Sequence, residues 1–257
     1  MYDYYLGGKN HFAADREAAD KWIAAVPSGP TGPRENRAFL GRAVQFLAKE
    51  AGIRQFLDIG TGLPTTGNVH DVAQAVDPAC RVVYADNDPL VLAHARALLT
   101  STPEGRTAYI HADLRDPQAI LANPAVRETL DFSQPVALLI VAVLHFIKPD
   151  RDPDKAVEFL RSKLAPGSFL VLSHASGEGL SAGQQTAAEG VRSSYETQAA
   201  NPGVFRRHGE IEEFFGGWPL VPPGLVWTPE WHTEKTVSDF TDNPARAFIM
   251  AGVARKP

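Results

Sequence analysis

The sequence predicts an α/β fold of the Rossmann-like, doubly wound type, with a seven-stranded, mostly parallel sheet. Three observations support this prediction. Short apolar runs alternate with helical patterns through residues 54–175, as in parallel β–α–β units. The most apolar run, Pro135–Phe146, is typical of a central parallel strand that is covered on both faces. Two further strand-like segments, Leu220–Trp227 and Ala247–Ala254, are expected to complete the sheet with an antiparallel hairpin edge.

Two helices are predicted before the first strand, and they form an N-terminal helical cap over residues 1–53. Ala13–Ala25 is helical by its pattern. Glu35–Ala51 repeats apolar side chains at helical spacing, and Gly52 stands at its C-terminal cap position. The segment 27–33 (PSGPTGP) between them has the composition of a loop.

The N-terminal arm, residues 2–12 (YDYYLGGKNHF), is rich in aromatic and hydrogen-bonding side chains. It is either an ordered arm that packs its tyrosines on the core or a lid over a pocket, with the glycine pair as a joint. Composition does not decide between the two. Arg34, at the entrance of the second helix, is of a type that binds carboxylates. The candidate substrate-binding residues are therefore Tyr2, Tyr5, Lys9, Asn10 and Arg34.

The stretch Gln55–Gly67 (QFLDIGTGLPTTG) predicts a buried strand, a tight glycine turn and a helix. Gly60 and Gly62 let the backbone approach a ligand, and the start of the helix offers free N–H groups. A Gly-x-Gly pair alone is weak evidence for a nucleotide site. Asp86 strengthens it, because this residue ends the next strand 24 residues after Gly62. That offset is close to the one at which an acidic side chain binds ribose hydroxyls.

Polar side chains also follow the later strands. Asp113 comes after the third predicted strand, Thr107–His111. His145 lies at the end of the fourth, and His174 ends the fifth, Ser168–Ser173. Because ligands of doubly wound sheets bind beyond the carboxyl ends of the strands, these side chains are expected to share one site.

The amino-acid composition indicates which binding partners and which cellular compartment to expect. A net charge of −5 and a pI near 5.9 give no electrostatic reason to expect nucleic acid or an anionic membrane. The single cysteine, Cys80, excludes an internal disulfide and a cysteine-rich zinc site, and no metal is expected. Without a membrane-length apolar run or a signal peptide, a cytoplasmic protein is predicted. A monomer and a homodimer both remain open.

Three motifs resemble the cofactor motifs of class I S-adenosylmethionine-dependent methyltransferases: Asp58-x-Gly60-x-Gly62, the strand end at Asp86, and Ala112-Asp113-Leu114. Over essentially the whole chain, longer stretches resemble an actinobacterial methyltransferase family that was long described as a domain of unknown function. These stretches are YDYYLGGKNHFAADRE, Asn36-Arg37-x-Phe39-Leu40, DIGTGLPTTGNVH, YADNDPLVLAHAR and LVPPGLV. One departure from the broader class is Pro64, which stands where a third glycine is common.

This resemblance implies S-adenosylmethionine as the cofactor and a role for each matching position. Asp58 and the backbone of the glycine turn would hold the methionine amine and carboxylate side of the cofactor. Asp86 would bind the ribose hydroxyls and Asn87 would flank the adenine. Asp113 and the Leu114 N–H would read the adenine edge. The cofactor-binding residues implied are Asp58, Gly60, Thr61, Gly62, Asp86, Asn87, Asp113 and Leu114.

The expected function is methyl transfer to a small-molecule acceptor by in-line displacement at an oxygen or nitrogen atom. His145 is the first candidate for a general base and His174 the second; the alternative for each is a histidine that fills a wall or bonds to the backbone. Two other functions remain open at this point. One is a cofactor-binding regulator or degenerate enzyme. The other is a nicotinamide-dependent oxidoreductase, which Thr65 disfavours because that position would be glycine or alanine.

The whole chain, residues 1–257, is predicted to form one domain. After the cap (1–53) comes the cofactor-binding core (54–175). An insertion and a helix (176–223) are expected to form a substrate wall, and residues 224–257 supply the last strands.

Overall fold

The computed structural model of the chain contains one seven-stranded sheet. The structure describes residues 2–8, 11–25, 29–64, 67–98, 101–180, 203–233 and 242–257, with the single positions 183 and 186. The strands are β1 (Gln55–Ile59), β2 (Arg81–Asp86), β3 (Arg106–His111), β4 (Ala137–Val141), β5 (Phe169–Ala175), β6 (Val226–Trp227) and β7 (Ile249–Arg255).

The sheet has the strand order β3-β2-β1-β4-β5-β7-β6. The first five strands are parallel, whereas β7 is antiparallel to both β5 and β6. The strand order reverses between β1 and β4, which creates the crevice where doubly wound folds bind ligands. The predicted fold class, including the antiparallel edge, is confirmed.

The described helices lie mainly before the sheet and between its parallel strands. They are α1 (Tyr2–Tyr5), α2 (Ala13–Ala25), α3 (Thr31–Lys49), α4 (Val69–Val76), α5 (Pro89–Leu98), α6 (Pro117–Ala122), α7 (Pro124–Thr129), α8 (Pro153–Ser162) and α9 (His208–Glu213). Short 3₁₀ turns cover Leu144–Phe146, Pro149–Arg151, Gly177–Gly179, Thr228–Glu230 and Pro244–Ala247. No described helix is long and apolar enough to cross a membrane.

Side-chain alternation along β1 divides the core into two layers. Leu57 and Ile59 pack in one layer with residues of α6, α7, α8 and α9, whereas Phe56 packs in the other with α3 and α4. Asp58 is two residues after Phe56 and therefore lies on the α3 side of the sheet. This alternation brings a carboxylate beneath the N-terminal cap.

Several predicted boundaries are corrected by the structure. Helix α3 begins at Thr31, inside the segment predicted as a loop. Strand β4 ends at Val141, because Ala142 takes a left-handed conformation with φ of +58° and turns the chain before His145. Strand β5 continues to Ala175, so His174 lies within it rather than after it. Most of the predicted insertion, residues 181–202, lies outside the described part of the chain apart from positions 183 and 186.

A candidate cofactor site at the carboxyl edge of the sheet

A cavity of about 920 Å³ opens at the carboxyl ends of the central parallel strands. This volume is at the upper end of the range for drug-sized ligands. All eight predicted cofactor-binding residues line it: Asp58, Gly60, Thr61, Gly62, Asp86, Asn87, Asp113 and Leu114. The structure therefore brings these residues together, as expected from their positions at the strand ends.

The glycine turn after β1 is tightly packed. Gly60 has φ of +76°, and a Cβ atom there would lie 2.2 Å from Cγ2 of Val143. A larger residue at position 60 would therefore displace Val143 and would adopt a strained left-handed conformation. The Gly60 N–H donates to the carbonyl of Ala85 (2.7 Å), which ties the turn to the end of β2.

Asp86 joins the glycine turn to the start of α5. Its Oδ2 accepts from the Gly62 N–H (2.8 Å) and its Oδ1 from the Asp88 N–H (2.9 Å). Burial raises the pKa of this carboxyl, and the two backbone hydrogen bonds oppose that effect. Each oxygen keeps a second lone pair that can accept a hydrogen bond from a ligand hydroxyl.

Asp113 is oriented by two neighbouring side chains. Arg115 Nε lies 2.9 Å from Oδ1 and 3.0 Å from Oδ2, and the Asn87 amide donates to Oδ2 over 3.3 Å. The hydrogen bonds from Arg115 lower the pKa of Asp113 to about 2. Asp113 is therefore a carboxylate acceptor that faces the cavity at any ordinary pH.

Asp58 differs from these two carboxyls because the protein does not satisfy it. Its side chain is only 5% exposed, and it accepts no hydrogen bond from any described residue. Burial raises its pKa to about 7; the positive charge of Arg37 opposes this and the negative charge of Asp86 adds to it. A buried, unbonded acceptor on a cavity wall is suited to a cationic hydrogen-bond donor of a ligand.

The family model described as S-adenosyl methyltransferase matches residues 1–257 of the chain. The chain belongs to this S-adenosyl methyltransferase family. It is a methyltransferase that depends on S-adenosylmethionine, and this membership does not support the nicotinamide-dependent alternative.

Solved structures agree with the family assignment. A DUF574 family protein from Streptomyces avermitilis is 45% identical with a TM-score of 0.93, and the match covers 100% of this chain and 95% of that one. A proposed methyltransferase from Thermobifida fusca is 45% identical with a TM-score of 0.89, covering 99% and 92%. An O-methyltransferase family protein from Burkholderia thailandensis shares the fold, with 12% identity, a TM-score of 0.54 and coverage of 86% and 58%. No match to the chain was found among curated proteins.

Neither candidate base of the methyltransferase is among the residues that line the cavity. His174 is fully buried; Arg206 donates to its Nε2 (2.7 Å), and its Nδ1–H donates to the Ala175 carbonyl (2.7 Å). Burial lowers the pKa of His174 to about 4. His145 packs edge-on against it with ring centroids 5.5 Å apart, and burial holds the pKa of His145 well below the usual range.

The expectation that the two histidines face the cofactor is therefore corrected. The apolar run predicted as one strand breaks at Ala142, and the turn that follows directs His145 toward His174 instead of the cavity. The alternative interpretation, histidines that fill a wall and bond to the backbone, matches the contacts of His174.

The predicted substrate-binding residues are only partly placed. Tyr5 is buried at 7% exposure, and its carbonyl accepts from Arg34 Nε (3.1 Å); neither residue lines the cavity. Lys9, Asn10 and the side chain of Tyr2 lie outside the described part of the structure. The arm does reach the cavity, but through three other residues, Leu6, His11 and Phe12, and Asp15 of α2 lines it next to them.

Several cavity residues were missed from the sequence as site candidates. Asn36 and Arg37 line the wall next to Asp58, although the sequence analysis chose Arg34 from the same helix start. Phe146, Lys148 and Arg151 line it after β4. Phe146, Lys148 and Arg151 belong to no motif that could have indicated a site. Among the described residues, no group of three histidine, cysteine or acidic side chains is arranged to hold a metal ion.

Proposed function

We propose that this methyltransferase transfers a methyl group to an oxygen or nitrogen atom of a small-molecule acceptor, and that cofactor and acceptor share the 920 Å³ cavity. The observation that carries the proposal is the buried carboxylate of Asp58, which lacks a hydrogen-bond donor among the described residues beside the glycine turn. S-adenosylmethionine, when bound, supplies an electrophilic methyl group on a sulfonium sulfur. An α-ammonium group is also the kind of donor that Asp58 lacks.

The remaining cofactor roles follow from the state of each carboxyl. Asp86 is held by two backbone N–H groups and keeps lone pairs for a pair of ribose hydroxyls. Asp113, ionised and oriented by Arg115, suits an exocyclic amino group, with the Leu114 N–H nearby for a ring nitrogen. In-line transfer depends mainly on alignment of the reacting atoms. Asp86, Asp113 and the Leu114 N–H would fix the nucleoside end of the cofactor.

The acceptor is proposed to be small and partly apolar. Phe12, Leu90 and Phe146 are exposed large apolar side chains, and all three line the cavity. Such exposed apolar groups favour a ligand with an apolar surface over a polymer chain. The net charge of −5 likewise disfavours nucleic acid.

A general base, where the acceptor needs one, is proposed to come from the cavity wall. Of the eight histidines in the chain, the cavity is lined by His11 and His94. His11 belongs to the arm and precedes Phe12 in the sequence. These imidazoles have the access to a ligand that His145 and His174 lack.

We infer that the segment 176–223 borders the acceptor side of the cavity, within a single domain formed by the whole chain. The Val204 N–H donates to the carbonyl of His145 (2.7 Å), and Arg206 donates to the carbonyl of Leu144 (3.0 Å). Both contacts support the turn that carries Phe146 to the cavity.

Calorimetry with S-adenosylhomocysteine, which cannot transfer a methyl group, tests the cofactor site. We expect micromolar affinity for the wild type and a loss of about 10- to 100-fold for Asp86→Ala, because charge-assisted hydrogen bonds to the ribose are removed. Asp152→Ala removes an exposed carboxylate elsewhere and is the matched control, with unchanged affinity. Failure of well-folded wild-type protein to bind this ligand would contradict the proposal.

A further inference from the structure

Arg37 is a cation of the cavity wall that the protein satisfies only in part. It lies in the second turn of α3, and its Nη2 donates to the carbonyl of Gly67 (3.0 Å) and to Oδ1 of Asn68 (3.2 Å). Its Nε is buried and has no hydrogen-bond partner among the described residues. Since a guanidinium carries five N–H donors, anchoring through Nη2 leaves donors for a ligand.

Arg37 and Asp58 line the same cavity without forming an ion pair with each other among the described contacts. Asp58 reaches this side of the sheet from β1, and Arg37 reaches it from α3. Their charges nevertheless act on each other, because Arg37 favours the ionised form of Asp58 through space. The cavity thus presents a carboxylate and a guanidinium as neighbours that are not neutralised by direct contact.

A ligand that complements this pair must carry an ammonium and a carboxylate a short distance apart, as an α-amino acid does. A guanidinium binds a carboxylate through charge-assisted hydrogen bonds, which are stronger than neutral ones. Placing both ligand charges against opposite protein charges also lowers the cost of removing them from water.

We propose that Arg37 binds the carboxylate of the methionine moiety of S-adenosylmethionine, while Asp58 binds its ammonium group. This inference rests on the proposed function and deepens it, because the sequence resemblance assigned the methionine end of the cofactor to Asp58 and the glycine turn and gave no role to Arg37. The Gly62 N–H is already taken by Asp86. Arg34, three residues earlier, is exposed, donates to the Tyr5 carbonyl and does not line the cavity.

Three ligands separate the carboxylate from the rest of the cofactor. S-adenosylhomocysteine has the complete amino acid, S-adenosyl-3-thiopropylamine lacks only the carboxylate, and 5′-methylthioadenosine lacks both charged groups. Calorimetry with each ligand is carried out on the wild type, on Arg37→Met and on the control Arg34→Met.

For the wild type, we expect S-adenosylhomocysteine to bind about 10- to 100-fold more tightly than the decarboxylated amine. Arg37→Met should weaken S-adenosylhomocysteine by a similar factor, abolish the difference between these two ligands, and leave the affinity for 5′-methylthioadenosine within about twofold. Arg34→Met should behave as the wild type. The unchanged affinity for 5′-methylthioadenosine would also show that the nucleoside end of the site is intact.

Three results would overturn the inference alone: unchanged affinity of Arg37→Met for S-adenosylhomocysteine, equal weakening of all three ligands, or equal wild-type affinity for the acid and the decarboxylated amine. The last comparison needs no variant, so it holds even where Arg37→Met does not fold. Wild-type protein that binds no S-adenosylhomocysteine would overturn the proposed function as well.

Discussion

Asp58 is a single residue whose titration is coupled to folding. In the folded protein its pKa is about 7, against 3.8 for an ordinary aspartate, because the carboxyl is buried. The folded state therefore holds the proton more tightly than the unfolded state. The stabilisation that comes from this tighter proton binding at Asp58 is complete below about pH 4 and is lost as the pH rises through 7.

We predict that Asp58→Asn becomes progressively more stable relative to the wild type between pH 5 and pH 8. The amide carries no charge to bury, so the difference in free energy of unfolding should grow by on the order of 2–4 kcal/mol across this range. Urea denaturation at the two pH values measures it. Asp150→Asn, at an exposed carboxylate on the same cavity, is the control and should show no such growth. A constant difference for Asp58→Asn would contradict the argument.

At the scale of elements, the turn after β4 depends on a cation from a distant segment. Arg206 is 9% exposed and donates to the carbonyls of Leu144 (3.0 Å) and Ile147 (3.1 Å) as well as to His174. Its guanidinium also lies 5.2 Å from the ring centroid of Phe214. One side chain thus joins the segment before α9 to the end of β5 and to the 3₁₀ turn at the cavity.

We expect Arg206→Met to lower the free energy of unfolding by about 2–4 kcal/mol, because two buried carbonyls and a buried imidazole lose their donor. Arg207→Met is the neighbouring control; the Arg207 side chain is 78% exposed, and its loss should change stability by less than about 0.5 kcal/mol. Urea denaturation of the two variants gives the comparison. Equal stability of both would show that the buried contacts of Arg206 contribute nothing.

A second link between elements explains the position of the cap. Ser173 donates to Oδ1 of buried Asn36 (2.6 Å), and its Oγ accepts from the N–H of Ala142 (2.9 Å). Helix α3, the end of β5 and the left-handed residue after β4 are therefore joined by two hydrogen bonds. The helix that carries Arg37 is thereby positioned against the sheet edge.

At the scale of the whole molecule, ligand binding at this edge should stabilise the entire domain. Both core layers include residues of β1, β2, β4 and β5, so unfolding of either layer disrupts the site. At a concentration 100 times its dissociation constant, S-adenosylhomocysteine should add about 2.7 kcal/mol to the free energy of unfolding. For a chain of this length, we predict a rise in Tm of roughly 5–10 °C.

Differential scanning calorimetry measures this shift. A nicotinamide dinucleotide at the same concentration is the control and should leave Tm within about 1 °C of the free protein, since a ligand stabilises only in proportion to its occupancy. A larger shift with the dinucleotide would contradict the assignment of the cofactor.

The grouping of the candidate cofactor residues around one cavity could be predicted from the sequence because it is encoded locally. Asp58, Asp86 and Asp113 each lie close to the carboxyl end of an apolar strand, and parallel strands bring their carboxyl ends to one edge. The spacing of these residues therefore determines their spatial grouping, with no need to know how the layers pack.

The catalytic and substrate residues could not be predicted in the same way. An apolar run continues from β4 to Phe146, and no periodicity signals the left-handed bend at Ala142 that redirects His145. The choice between Arg34 and Arg37 depends on how α3 is rotated against the sheet, which is a property of tertiary packing. The segments proposed to border the acceptor side likewise meet only in the folded protein.

The glycine turn also has a consequence for the kinetics of binding. Because the Gly62 N–H donates to Asp86, the part of the site proposed to face the ribose is held in place by contacts within the protein itself. A preorganised site spends little conformational entropy at the encounter, so related nucleosides should associate at similar rates. Discrimination among them then lies in how long each one stays bound, and residence time rather than capture speed becomes the quantity that this edge of the sheet controls.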